Sequence, residues 1–339
     1  MISRATPSAA LSHLRVCDLT TGFTGPSATR WLAAFGAEVI KVENLDESDT
    51  TRLLPPFAPG RSGLERSAQF NNLNVGKLGL AVDLSRRRGR NLVAELAAIS
   101  QIICVDHPGL GSSGLDAGKI SELRPGDGPE PIIAVGPETD RRTPGLWLEL
   151  ATAILLAVHR QMETGLGATV LTGEIAESEV APPGGAVHPC LDGHVAIECR
   201  DDGDRAALAV AMGFDGADAG RRGRALTDDE VARWCNGRSR WTVESELQAV
   251  GVPVAVLRLP GERVDTDIAT GARGLWPMVD HPDLGGIRVE GLAVELSKTS
   301  WSIIEPAPLL GQDTHWILSR LLGRPDPEIE RLQHLGVIG

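Results

Sequence analysis

TTGFTGPSATRWLAAFGAEVIKVE, residues Thr20–Glu43, decides the fold. It reads as the turn, helix and second strand of an opening β-α-β unit. LRVCDLT (Leu14–Thr20) supplies the first strand, rich in Leu and Val and bounded by a Gly-containing turn. Thr24 is placed as the helix cap. Pro26 falls near the first turn, where a missing N–H does no harm. Trp31, Leu32 and Phe35 give an apolar stripe, Gly36 ends the helix, and Ala37–Glu43 runs on as the second strand. The turn at Gly22–Gly25 therefore sits where a strand ends and a helix begins, the common ligand position of open α/β sheets. The same residues also read as a plain tight connection, because short glycine turns are weak signals.

The chain has 339 residues, the length of about two domains. Its hydrophobic fraction is 42% and its charged fraction 23%, ordinary values for a globular protein. A formal net charge of −12 argues against nucleic acid or an anionic membrane surface as the main partner. No apolar run approaches the roughly 20 residues of a membrane span, and the N-terminus shows no signal-peptide pattern. Five cysteines occur, none in a CxxC, and Cys17 and Cys104 fall inside expected strands as buried apolar side chains. This usage fits a reducing, cytoplasmic compartment. The histidines show no HExxH and no Cys/His spacing, so no metal site is expected.

Beyond Glu43 a long polar loop runs from Asn44 to Phe70, and its acidic start, Asp46–Asp49, reads as a solvated bend. Leu78–Leu84 alternates like a strand. Ser85 is placed as the cap of a helix through Arg90–Ile99, with Arg86–Arg88 read as a solvated face ahead of a phosphate grip. Gln101–Val105 and Pro131–Val135 read as buried strands, each followed by a Gly-rich turn. Leu146–Met162 is the most apolar helix, with His159 near its end as an interfacial or satisfied side chain. The sequence divides into a large α/β domain over 1–172, a Gly/Pro-rich linker over 173–189, a small α+β domain over 190–295, and a segment over 296–339 that returns to the large domain. In the small domain Cys190–Arg200 reads as a hairpin. Helices fit Arg205–Met212, Asp228–Asn236 and Thr242–Val250, and short strands fit Val252–Leu257 and Ile287–Val294.

Several of these passages together resemble the class III CoA-transferase family, which includes formyl-CoA and carnitine CoA-transferases and α-methylacyl-CoA racemase. The opening LRVCDLTTGFTGPSATRWLAAFGAEVIKVE is similar to that family's first strand, G-P helix and second strand. Leu73–Leu84, Gly251–Leu257, His281–Val289, Pro306–Leu318 and the closing LLGRPDPEIERLQHLGVI follow the family's order. The resemblance implies a Rossmann-like large domain built from both chain ends, a smaller α+β domain from the middle, and two subunits interlocked as a homodimer. It implies acyl-CoA as a substrate near the first turn, with no permanently bound cofactor. The CoA-facing positions carried over by motif are Gly22, Phe23, Thr24, Asn44, Lys77, Asp106 and His107.

The family's transferases use an aspartate nucleophile that takes the acyl group from the thioester, dividing one difficult step into easier ones. In one alignment that aspartate falls on Trp147, whose indole offers an N–H and no nucleophilic oxygen. In a second alignment the whole nucleophile helix is deleted. Asp140, on the preceding loop, is the remaining candidate carboxylate. Glu149 lies about 200° around the helix from the Trp147 position and points away. The racemase branch's His/Asp acid–base pair finds no match. Three readings follow: a divergent transferase, a non-catalytic binding or partner homologue, and an enzyme repurposed for a ligand other than CoA.

Overall fold

The computed structural model describes residues 10–58, 60, 62–106, 130–136, 145–172, 185–214 and 226–339. Six short runs of Val, Ile, Leu, Ala and Cys become parallel strands: β1 (Arg15–Asp18), β2 (Glu38–Asn44), β3 (Leu78–Val82), β4 (Ile102–Val105), β5 (Ile132–Val135) and β6 (Ala168–Leu171). Their order in the sheet is β3-β2-β1-β4-β5-β6. The order of strands across the sheet therefore reverses between β1 and β4, and the carboxyl ends of such strands are where ligands of open α/β sheets commonly bind.

Both faces of the sheet are apolar, which is why its strands read as nearly continuous hydrophobic runs. Val16, Val39, Ile102, Cys104, Ile132 and Ala134 face α1 (Thr24–Ala34) and a long helix, Leu146–Thr164, through Ala28, Leu32, Leu150 and Ile154. Cys17, Ile40, Val42, Leu80, Ile103 and Val135 face the other way. They pack with Leu92, Val93 and Leu96 of the helix Arg87–Ala98 and with Ile317, Leu318, Ile329 and Leu332 from far down the chain. The tail seals the outer strand: Val82 and Ile338 form a bridge, and the Asp83 N–H donates to Val337 O at 2.8 Å. Cys17 and Cys104 are both fully buried.

Two compact units emerge, one of residues 1–175 with 272–339 and one of residues 176–271. The return to the first unit thus comes at residue 272 rather than 296. Val279, Val289, Leu292 and Ile303 pack against Ala34 and Val75, so 272–295 belongs with the sheet unit by burial. Two features of this region differ from the sequence reading. The strand placed at Ile287–Val294 is Gly285–Arg288, and it pairs antiparallel with Met278–His281 in a hairpin that has no strong alternation to announce it.

The second unit holds a three-stranded antiparallel sheet of β7 (Gly185–Cys190), β8 (Gly193–Glu198) and β9 (Val254–Leu257). Helices Asp202–Ala211, Asp228–Asn236 and Arg240–Ala249 pack on it around Val195, Leu208, Val231, Val243 and Leu247. β7 begins at Gly185 and so takes the last part of the expected linker, because Ala186–Pro189 pair in register with β8. Residues 173–184 of that linker lie outside the described residues.

The caps also differ from expectation. Phe23 holds the cap position of α1 and Thr24 is its first helical residue. Gly25 lies so close to Thr20 that an added Cβ would come within 2.3 Å of that side chain, so the helix begins directly on the end of the turn. Arg86, not Ser85, precedes the helix Arg87–Ala98. The Asp83 carboxylate is the stronger acceptor there and takes the Ser85 N–H (2.9 Å), the Ser85 hydroxyl and the Arg86 Nε (2.6 Å).

Candidate functional site

At the β1/β4 switch point β1 runs into the turn Thr20–Gly25, and the turn is held by two buried ion pairs. Asp18 ends β1 with its side chain fully buried. Its Oδ1 accepts from the Thr20 hydroxyl (2.6 Å) and N–H (3.1 Å), and its Oδ2 accepts from the Thr29 hydroxyl (2.6 Å) and Lys77 Nζ (3.0 Å). Burial alone would raise its pKa. The Lys77 and Lys41 ammonium groups and the threonine hydroxyls override that and bring it to about 2. Lys77 directs its three protons at Asp18 Oδ2, Pro26 O (3.0 Å) and Asn74 Oδ1 (2.9 Å). Burial lowers its pKa to about 8, with Asp18 opposing, so the pair is ionised at neutral pH.

Lys41 of β2 forms the second pair. Its ammonium donates to Asp49 Oδ2 at 2.6 Å and to Thr20 O, and both side chains of the pair are fully buried. Burial favours neutral Lys41, yet the charges of Asp49, Asp18 and Glu43 hold it above the ordinary lysine range. Asp49 Oδ1 in turn accepts from the Thr51 hydroxyl (2.6 Å) and from the N–H groups of Thr51 (2.9 Å) and Gly22 (3.3 Å). Gly22 has φ 72°, a conformation suited to glycine. The acidic bend after β2 is therefore not solvated throughout: Asp49 folds inward to neutralise Lys41 and fix the turn. A third tie reaches the next strand. Thr21 donates both its N–H and its hydroxyl to Asp106 Oδ2, each at 2.9 Å, just past the end of β4.

Burial raises the Asp106 pKa to about 7, although the Thr21 hydrogen bonds pull the other way. A carboxyl whose folded pKa lies above its unfolded value of about 4 keeps a proton that the unfolded chain has lost. The Asp106 contribution to stability is therefore full below about pH 4, falls as pH rises from there to about 7, and levels off above that. Urea titrations of Asp106→Asn should lack this fall, leaving the variant on the order of 4 kcal/mol better off relative to wild type at pH 8 than at pH 4. A wild-type curve flat over that window would show Asp106 ionised throughout.

The positions marked from the sequence are brought together only in part. Gly22, Phe23 and Thr24 form the turn and the start of α1, and Asp106 borders it. Asn44, at the end of β2, accepts from the Leu84 N–H at 3.2 Å and so ties β2 to the strand beside it. Lys77 is buried with all three protons taken, and it braces the turn rather than offering a free cation. His107 and Asp140 lie outside the described residues. His159 is exposed and has Glu163 as its partner at 3.4 Å. Asp49, Lys41 and Thr21 went unmarked in the sequence. Their roles depend on pairs across strands and loops that no local spacing announces.

Trp147 stands in the first turn of the helix Leu146–Thr164 and packs on Trp31, ring centroids 5.2 Å apart and tilted by 37°. Trp31 is seven residues along α1 from Thr24, roughly 10 Å from the helix start. Among the described residues no cluster of His, Cys, Asp and Glu is arranged for a metal ion, and no helix is long and apolar enough to cross a membrane. A cavity of about 680 Å³ opens at the other end of β2 and β3, lined by Glu38, Leu78, Asp313 and Trp316 among others, away from the turn.

This geometry has counterparts. The chain is 27% identical to succinyl-CoA:glutarate CoA-transferase of Mus musculus over an alignment covering 97% of this chain and 90% of that protein. It is 26% identical to succinyl-CoA–D-citramalate CoA-transferase of Chloroflexus aurantiacus, covering 99% and 100% of the two. The crystal structure of a CAIB/BAIF family protein from Brucella suis shares the fold with a TM-score of 0.71 at 22% identity, over 93% of this chain and 100% of that one. The family model described as CoA-transferase family III matches residues 11–126 and 174–314, leaving out the interval that carries β5, the Trp147 helix and β6. With the switch-point turn inside the first matched segment and both hairpins inside the second, the chain belongs to CoA-transferase family III.

Proposed function

We propose that this protein binds an acyl-CoA thioester at the carboxyl ends of β1 and β4 and does so without the family's aspartate nucleophile. The observation that carries the second half is the interval 127–173. It falls outside the family match, and there an indole, Trp147, packs on Trp31. The first half is supported by a turn made rigid by Asp18–Lys77 and Lys41–Asp49 at the start of α1, where the helix dipole favours an anionic group. Phosphate binding there draws on the dipole of α1 rather than on lysine charge, because the nearest lysines are committed to carboxylates. Asp140 is the one carboxylate retained as a candidate for acyl transfer. The interlocked homodimer, the large and small domains as separate working parts, and a cytoplasmic location belong to the same proposal.

A second reading rests on a specific feature. Asp49 and Asp106 both accept hydrogen bonds from the turn, and the two lysines beside it, Lys41 and Lys77, are each paired with a carboxylate. That favours a non-catalytic partner, or an enzyme whose ligand is not CoA.

Calorimetry with CoA and with succinyl-CoA, the thioester named in both relatives, separates these readings. Micromolar binding together with an unmodified intact mass after incubation and hydroxylamine trapping is the expected result. Absence of binding would sink the CoA reading. An acyl adduct that disappears in Asp140→Ala would overturn the nucleophile-free one.

A further inference from the structure

The second unit contains a pair of thiols that no proposed chemistry uses. Cys190 is the last residue of β7 and Cys235 lies in the helix Asp228–Asn236. Both are buried in the same apolar cluster, Cys235 completely and Cys190 at 9% exposure, and the two thiols are hydrogen-bonded to each other. Hydrogen bonds hold their two segments together on either side. The Leu191 N–H donates to Arg238 O at 2.9 Å, and the Arg238 N–H donates to Cys235 O at 2.9 Å. The Asp192 carboxylate accepts from the Arg240 N–H at 2.8 Å and from the Ser239 hydroxyl at 2.9 Å. The hairpin turn after Cys190 and the helix end at Cys235 are thus tied together next to the two thiols.

The other thiols provide contrast. Cys17 and Cys104 sit on neighbouring strands, but one step out of register and on opposite faces of the sheet. Cys199 packs at the edge of the second cluster without a thiol partner.

We propose that Cys190 and Cys235 are an oxidation site that closes to an intramolecular disulfide when the protein meets a two-electron oxidant such as hydrogen peroxide. The Cys190 sulfur, nearer the surface, attacks a peroxide oxygen. The O–O bond breaks, the thiol proton leaves with the departing hydroxide as water, and Cys190 becomes a sulfenic acid. The Cys235 sulfur then forms the S–S bond, its proton and the sulfenic hydroxyl leaving as a second water. Two thiols lose two protons and two electrons, and one peroxide becomes two waters. Burial pushes both thiols toward their protonated forms, which makes the reaction slow at neutral pH and faster as pH rises. Once closed, the bond links β7 to the helix and removes chain entropy from the unfolded unit.

Peroxide treatment of the full chain at mildly alkaline pH is the test, read by intact mass, thiol titration in denaturant and peptide mapping. The expected result is a loss of two hydrogen atoms, a fall from the five thiols of the sequence to three, and a single reducible crosslink joining Cys190 to Cys235. Cys190→Ala should abolish the crosslink and Cys199→Ala should leave it intact. If Cys190→Ala fails to fold, the wild-type melting curve still decides, because closure should raise the midpoint by several degrees and dithiothreitol should restore it. Five thiols remaining, a crosslink to Cys199, or oxidation of Cys190 to sulfinic acid with Cys235 still free would each overturn the proposal.

Discussion

Replacing Lys77 with methionine should lower the unfolding free energy by about 3–5 kcal/mol at neutral pH, because the stem is retained while Asp18 is left as a buried charge without its partner. The effect has a pH signature. Asp18 has its pKa lowered to about 2 in the folded protein, so its contribution is present above the unfolded value of about 4 and is lost as pH falls from there through about 2. In Lys77→Met the Asp18 carboxyl no longer has that ammonium and takes up a proton at higher pH. The gap between variant and wild type should therefore be widest near pH 7 and narrow by pH 3, measured by urea unfolding at each pH. A gap that does not change with pH would mean that packing of the stem, not the charge pair, carries the effect. Because the same pair braces Thr20 and Pro26, the variant should also weaken whatever binds at the turn.

Arg52→Met should be of similar size, about 3–5 kcal/mol. Arg52 is fully buried and its guanidinium makes five hydrogen bonds: to Glu43 Oε2 (2.9 Å) and Oε1 (2.8 Å), Glu65 Oε2 (2.6 Å), Leu64 O (3.2 Å) and Pro308 O (3.1 Å). It also lies over the Phe70 ring, 3.5 Å from the centroid. Those partners come from the end of β2, the loop after it and the returning chain, so one side chain joins three stretches that the sequence keeps far apart. Arg52→Lys retains the charge but lacks the planar fork that grips both Glu43 oxygens. It should recover less than half of the loss in chemical denaturation. Full recovery would assign the effect to net charge rather than to the bidentate geometry.

The parallel sheet was legible because its signals are local. β-branched runs flank Gly36 and the Gly22–Gly25 turn, and both faces of the strands are apolar, so each strand stands out by itself. The helix starts were less legible. Whether Thr24 or Phe23 precedes α1 is settled by how closely Gly25 approaches Thr20, a contact outside any cap pattern. The candidate site was least legible for the same reason. Asp49 sits in a run of acids that reads as solvated, and only the sheet brings Lys41 beneath it. Lys77 was marked from its motif as facing a ligand, yet the fold gives all three of its protons to Asp18, Pro26 and Asn74. The resemblance located the turn, while the charge balance around it required positions in space.

One face of the sheet is completed by Ile317, Leu318, Ile329 and Leu332, residues that follow the whole second unit in the chain. During synthesis, Leu80, Val82 and the helix Arg87–Ala98 emerge well before the side chains that cover them. At typical translation rates the wait from residue 175 to residue 317 is on the order of ten seconds. Over that interval an apolar surface stands open on the ribosome, and the sheet must be sheltered by the cell or remain only loosely formed. A break in the path by which the chain returns would therefore harm yield in vivo more than its effect on the finished fold suggests.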